Sequence, residues 1–225
     1  MNREEVLEKT DLSIVPYEYG LMGMFFLNEL VENQELVKVY TKDKRIHKKV
    51  YIRADILDRV GYRYHQFKYK FYNPYSKKSY FENRDSVVKL ESSINTKDLV
   101  KKIKKKYINR AFNTLDPNRY SSVEEAKEAL IRIVDNQKMR EEGDIIMSTG
   151  YKKFMDSDVL GYLVENKVPV KFYYITGEEE ILCLKMYDTY NYLAKNDEKG
   201  TTNLIHKSNV VKMEIMGDIE KIFVD

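Results

Sequence analysis

One cysteine, Cys183, stands in 225 residues, so no disulfide can close within the chain. The opening residues, MNREEVLEKTDLS, lack the apolar centre of a secretory signal. Both observations lead to the expectation of a cytoplasmic protein. The longest apolar run, near residues 21–30, is interrupted by Gly23 and Asn28 and falls well short of the roughly 20 residues a membrane span needs, which predicts a soluble chain with no membrane partner. A glycine-rich loop that could cradle phosphate is absent. The three histidines, His47, His65 and His206, have no spacing that would gather zinc with one cysteine, and Cys183 lies mid-strand without a paired base. Asp116 followed by Glu125, Ala126 and Lys127 resembles a nuclease set only in composition, because it falls on a predicted helix and not on the hairpin such carboxylates need. Glu178, Glu179 and Glu180 read as a charged turn. No enzyme, cofactor or metal site is expected.

Charge of one sign is also lacking: 39 basic against 36 acidic side chains leave +3, so a polyanion partner must be argued from local patches. Tryptophan is absent, against 19 tyrosines, whose amphipathic rings suit a binding surface. With 43% hydrophobic residues, a packed core is available.

The clearest pattern is a helix followed by five short strands, and it occurs twice. In residues 21–33, Leu21, Met24, Phe25, Leu27, Leu30 and Val31 recur at helical spacing. Strands follow near 34–41 and 49–57. A tyrosine-rich hairpin over 62–80 sets Phe67, Tyr69 and Phe71 opposite Lys68 and Lys70 and turns at Asn73 and Pro74, and a last strand closes at 86–91. The second set occupies 157–216. LVEN at 30 and VKVY at 37 reappear as LVEN at 163 and VKFY at 170, an offset of 133 (163 − 30). SVVKLE at 86 reappears as NVVKME at 209, an offset of 123 (209 − 86). The order of these anchors favours an internal duplication, with about ten extra residues in the first copy, most simply in the long hairpin.

Between the copies, Thr96 is placed to cap a helix to about residue 112 with Leu99, Ile103, Tyr107 and Ala111 on one face. Lys101, Lys102, Lys104, Lys105, Lys106 and Arg110 occupy the rest. Ser121 and Glu124 form a capping box for a second helix bearing Val123, Ala126, Leu130 and Val134. The division expected is a lead at 1–20, a first copy at 21–91, a basic helical hairpin at 92–150, a second copy at 151–217 and a tail at 218–225.

The second copy, over about 60 residues, resembles the Sm-like family and most of all its Hfq branch. The matching stretches are the helix and strand ending at Thr176-Gly177, then Met186-Tyr187-Asp188-Thr189-Tyr190, then Leu204-Ile205-His206-Lys207-Ser208. The resemblance implies an α+β protein of two divergent Sm-like small β-barrels flanking the helical hairpin, with Gly177 and Gly200 at tight turns. It implies barrel edges that pair with neighbouring subunits, so that three chains would imitate a six-membered ring. It further implies a non-enzymatic protein that binds single-stranded RNA. In that reading Tyr190 is the platform for a base and Lys207 the phosphate donor, with Asp188 and His206 beside them. His206 and Ser208 depart from the family pattern, and the first copy offers Asn83-Arg84-Asp85 at the equivalent step.

Two other readings of these residues stay open. Tyr190, Tyr192 and His206 also suit a packed interior or a subunit contact. The lysine run at Lys101, Lys102, Lys104, Lys105 and Lys106 suits either phosphate contacts or a solvated helix face. Beside RNA binding stand a protein-interaction or assembly module working through barrel edges without nucleic acid, and a DNA-binding regulator acting through the basic central helix.

Overall fold

The computed structural model describes residues 21–53, 68–114, 157–188 and 190–216, with helical positions 125 and 128. The lead at 1–20, Phe67, His65, Asp116, most of the predicted second helix of the hairpin and the tail at 218–225 lie outside the described residues.

Each half begins with a helix whose apolar face covers the sheet. In α1 (Leu21–Glu32), Met22, Phe26, Leu27 and Leu30 are buried at spacings of four, one and three, so one stripe faces inward. Five strands follow: β1 (Val37–Thr41), β2 (Ile46–Ile52), β3 (Lys68–Asn73), β4 (Lys78–Asn83) and β5 (Val87–Ser92). Helix α2 (Thr96–Thr114) leads away, and the second half repeats the plan with α3 (Ser157–Glu165), β6 (Pro169–Tyr174), β7 (Glu179–Tyr187), β8 (Asn191–Asn196), β9 (Thr201–His206) and β10 (Val210–Ile215). A 3-10 turn precedes the last strand in both halves, at Arg84–Ser86 and Lys207–Asn209. As expected for β3, Tyr69 and Phe71 are buried while Lys68 is exposed. The hairpin turn is held by Asn73 Oδ1, which accepts from the backbone N–H groups of Tyr75 and Ser76 at 2.9 Å. Gly177 (φ 83°) and Gly200 (φ 65°) supply the left-handed backbone of the β6–β7 and β8–β9 turns.

The expected architecture of two Sm-like barrels flanking a helical hairpin is not what the strands form. They make one open antiparallel sheet of ten strands, in the order β10-β6-β7-β8-β9-β5-β1-β2-β3-β4. The cause is the join in the middle: β5 of the first half pairs with β9 of the second, aligning Lys89 with Ile205, Leu90 with Leu204, Glu91 with Asn203 and Ser92 with Thr202. Two edges that could each have ended a separate unit satisfy each other's backbone hydrogen bonds instead. The interiors are shared as well. Met186, Leu193 and Leu204 pack into the cluster under α1, while Val88 crosses into the cluster under α3.

The internal repeat extends to strand boundaries. β1 and β2 map onto β6 and β7 at the offset of 133, whereas β3, β4 and β5 map onto β8, β9 and β10 at 123. The ten extra residues therefore fall between Ile52 and Lys68, a stretch that overlaps only the start of the tyrosine-rich segment at 62–80 where they were expected, and not at the β3–β4 turn. Those two strands are matched residue for residue with β8 and β9, so the hairpin had no room for an insertion.

Helix α2 starts one residue earlier in effect than its expected cap. Asn95, not Thr96, is the cap: its Oδ1 accepts from the N–H groups of Lys97 (3.0 Å) and Asp98 (3.2 Å). Thr96 is instead buried and its hydroxyl meets that of Thr202 on β9 at 2.5 Å. Leu99 and Ile103 are buried as the spacing predicted. Among the described residues, no helix is long and apolar enough to cross a membrane.

Candidate functional site

Asp188, Tyr190, His206 and Lys207 lie where β7, β8 and the 3-10 turn before β10 approach the first half. Asp188 follows β7 directly, and its Oδ1 accepts from the backbone N–H groups of Tyr190 (2.8 Å) and Asn191 (2.7 Å) and from Asn191 Nδ2 (3.0 Å). Its other oxygen accepts from the backbone of Gly23 in α1 at 3.1 Å. Asp188 thus shapes a turn and ties it to a helix of the opposite half, which fully uses a short acceptor side chain.

That turn carries Tyr190 into a buried position, 2% exposed, where the Arg84 guanidinium lies over its ring at 4.8 Å. Arg84 comes from the first half's 3-10 turn, the step equivalent to His206 and Lys207. The ring expected as a platform is therefore stacked against a cation of the same chain. Lys207 is half-buried, with its ammonium over the rings of Tyr192 (4.8 Å) and Tyr187 (5.4 Å).

His206 is 1% exposed and both its nitrogens are occupied. Nδ1 lies 2.7 Å from Asn191 Oδ1, and Nε2 lies 3.0 Å from the Tyr69 hydroxyl of the first half. Because Asn191 Nδ2 donates to Asp188, its Oδ1 is left as the acceptor, so the imidazole carries its proton on Nδ1 and accepts from Tyr69 on Nε2. Burial pushes the His206 pKa well below the ordinary range, and the nearby charges of Arg84 and Lys42 push it the same way. It is a neutral structural link between the halves.

The lysine run divides by face. Lys102 donates to Glu29 Oε2 at 2.7 Å and Lys106 reaches Glu29 Oε1 at 2.9 Å, so two of the five dock α2 on α1. Burial works against the charge on Glu29, but the two lysines outweigh it and hold its carboxyl below the usual range. Lys101 and Lys105 are exposed, and Lys104 is half-buried. The structure does not bring this run together with Tyr190 and His206.

Comparison with protein-family models, with curated proteins and with solved structures finds no match. What the chain does is therefore argued from its own geometry. Among the described residues, no group of three or more His, Cys, Asp or Glu side chains is arranged to hold a metal.

Sequence reasoning missed the charged cluster that pins the central join. Lys89 on β5 is 2% exposed and pairs with Glu180 on β7, and its ammonium lies over the Tyr40 ring at 4.3 Å. Glu180 also accepts from Lys199 (2.9 Å) and from the Tyr174 hydroxyl (3.2 Å). Burial alone would raise the Glu180 pKa, yet Lys89 and Lys199 hold it below the usual range, while burial lowers that of Lys89. Beside it, Glu91 accepts from Lys38 (2.7 Å) and Tyr40 (3.1 Å). Glu180 had been read as part of a charged turn, and only a fold that sets β7 near β5 reveals its partner.

Proposed function

We propose that this chain is a non-enzymatic assembly module whose sheet continues from one copy into the next, β10 of one chain pairing with β4 of another. The observation that carries the reading is the internal join. β5 and β9 pair within the chain, and their repeat equivalents, β10 and β4, are the two outermost strands of the same sheet among the described residues.

The equivalence is chemical as well as topological. Carried to the edges at the offset of 123, the β5–β9 register sets Lys212 opposite Glu82, Met213 opposite Phe81, Glu214 opposite Tyr80 and Ile215 opposite Ser79. The first three are an opposite-charge pair, in which Glu82 is also held by Arg45 and His47, an apolar pair and a carboxylate facing a phenol, each favourable across neighbouring strands. The exposure of the same positions supports the reading. Val88 sits in the register shift between β1 and β5, aimed into the other half's core, and is 1% exposed; Val211, in the same shift between β6 and β10, is 61% exposed. Leu204 is fully buried against β5, whereas its equivalent Phe81 is 62% exposed. Two large apolar side chains on solvent-facing edges are a liability unless covered. A β10-to-β4 contact is heterologous, so it builds a closed ring or an open filament.

Sedimentation velocity over a concentration series tests this. The wild-type chain should form discrete oligomers, and Val211→Glu or Phe81→Glu should return it to monomer, since covering either side chain contributes about 1.5 to 3 kcal/mol per contact. A monomer at every concentration, or oligomers indifferent to both substitutions, refutes the proposal.

Single-stranded RNA along α2 is a second reading, favoured by Lys101 and Lys105, which stay exposed and make no ion pair among the described residues. Polarisation binding to short U-rich and A-rich strands should weaken in Lys101→Glu/Lys105→Glu. Absence of binding at low salt refutes it.

A further inference from the structure

A cavity of about 840 Å³ opens between the start of α2, the end of α3 and strands β7 and β8. Its floor is apolar, made by Ile94, Val100 and Val164 with the thiol of Cys183 in the wall. Five lysines line it, Lys97, Lys104, Lys167, Lys185 and Lys195, against one acid, Asp197. Asp197 is already engaged by Lys195 at 2.5 Å. Lys97, Lys167 and Lys185 make no ion pair among the described residues. The lysines come from four separate elements, α2, the turn after α3, β7 and β8, so the positive field is a product of the fold and not of one basic stretch. The volume falls within the range of sites for small organic molecules, which combine an apolar lining with a few convergent polar groups.

We infer that this cavity binds a nucleoside phosphate, its body against Ile94, Val100 and Val164 and its phosphate against Lys97, Lys167 and Lys185. The requirement for both parts follows from the lining: an inorganic anion would meet the lysines but leave the apolar floor uncovered, and the lysine rim repels a cation and leaves a neutral body without a charge partner. No residue of β10 or β4 lines the cavity, so this inference stands or falls independently of assembly. The same chemistry is offered by a free nucleotide and by one nucleotide of a strand, and the test separates them.

Cys183 is the chain's one cysteine and lies in the cavity wall, where its thiol donates weakly to the Lys167 carbonyl at 3.7 Å. Its rate of modification by a maleimide therefore reports occupancy. AMP, ATP, inorganic phosphate and a short oligoadenylate are tested as protectants of the full chain. Saturating AMP or ATP should slow labelling by about tenfold, and Lys97→Glu or Lys185→Glu should each weaken that protection by about tenfold, the loss of one charge-assisted contact. Lys48→Glu, an exposed lysine of β2, should leave it unchanged. Unaltered thermal melting of the variants shows that they fold. Protection by the mononucleotides assigns a free ligand, and protection by the oligoadenylate alone assigns a strand. Protection by inorganic phosphate equal to that by AMP, protection that survives both substitutions, or none from any nucleotide overturns the inference.

Discussion

Acid sensitivity above the carboxylate range isolates His206. Its imidazole is neutral in the folded chain because it is buried, accepts from Tyr69, donates to Asn191 and faces Arg84 and Lys42. A histidine whose folded pKa is depressed leaves stability intact above its unfolded pKa and removes it as pH falls from there towards the folded value. In the unfolded chain the pKa is about 6.5, so between about pH 7.5 and about pH 5.5 the unfolded state gains roughly one proton that the folded state refuses, and stability falls by about 1.4 kcal/mol. Glu29 and Glu180 do not confuse this window, because both are held below the usual carboxylate range and titrate at lower pH. Urea unfolding followed by circular dichroism at the two pH values measures the loss. His206→Asn removes the hydrogen bond between the imidazole Nε2 and the Tyr69 hydroxyl, which lowers stability by about 1 to 3 kcal/mol at neutral pH. The variant should lose about 1.4 kcal/mol less on acidification than the wild type, and the contributions of the other histidines cancel in that difference. Equal acid sensitivity in the two proteins would refute a neutral, buried His206.

The Lys89 and Glu180 pair should respond unequally to removal of either partner. Glu180→Gln leaves Lys89 charged and 2% exposed with no carboxylate on its ammonium, costing about 3 to 5 kcal/mol, whereas Lys89→Met leaves Glu180 with Lys199 and Tyr174 and costs about 1 to 2 kcal/mol; a larger loss in the lysine variant sinks the reasoning. Gly177→Ala should cost about 1 kcal/mol by thermal melting, all of it from φ at 83°, since a Cβ there meets nothing within 4 Å. A neutral effect would show that the β6–β7 turn relaxes freely.

How much of this was legible beforehand depends on the range of the interaction. Apolar spacing located α1, α3 and the start of α2, and alternation located Tyr69 and Phe71, because a helix or strand exposes its inward face in its own sequence. The repeat was legible from LVEN and VVK for the same local reason. The turn chemistry was half legible: Gly177 and Gly200 were placed correctly, but Asn95 took the capping role assigned to Thr96, whose hydroxyl was claimed by Thr202 on a strand over a hundred residues away.

What sequence could not supply was which edge meets which. VVKLE and VVKME are nearly the same words at the same point of the repeat, yet Lys89 is buried against Glu180 while Lys212 is exposed. No local property separates the two lysines; only the strand placed beside each one does. The same logic removes Tyr190 from an open platform to a stack under Arg84, since its cover comes from the opposite half. It also makes the two outermost strands informative. A strand whose twin is buried by the neighbour it found, and which carries the same register, bulge and charge, retains the chemistry for that neighbour. The contrast between Val88 and Val211, one sequence position in two environments, is therefore the measure by which self-assembly of this chain is to be judged.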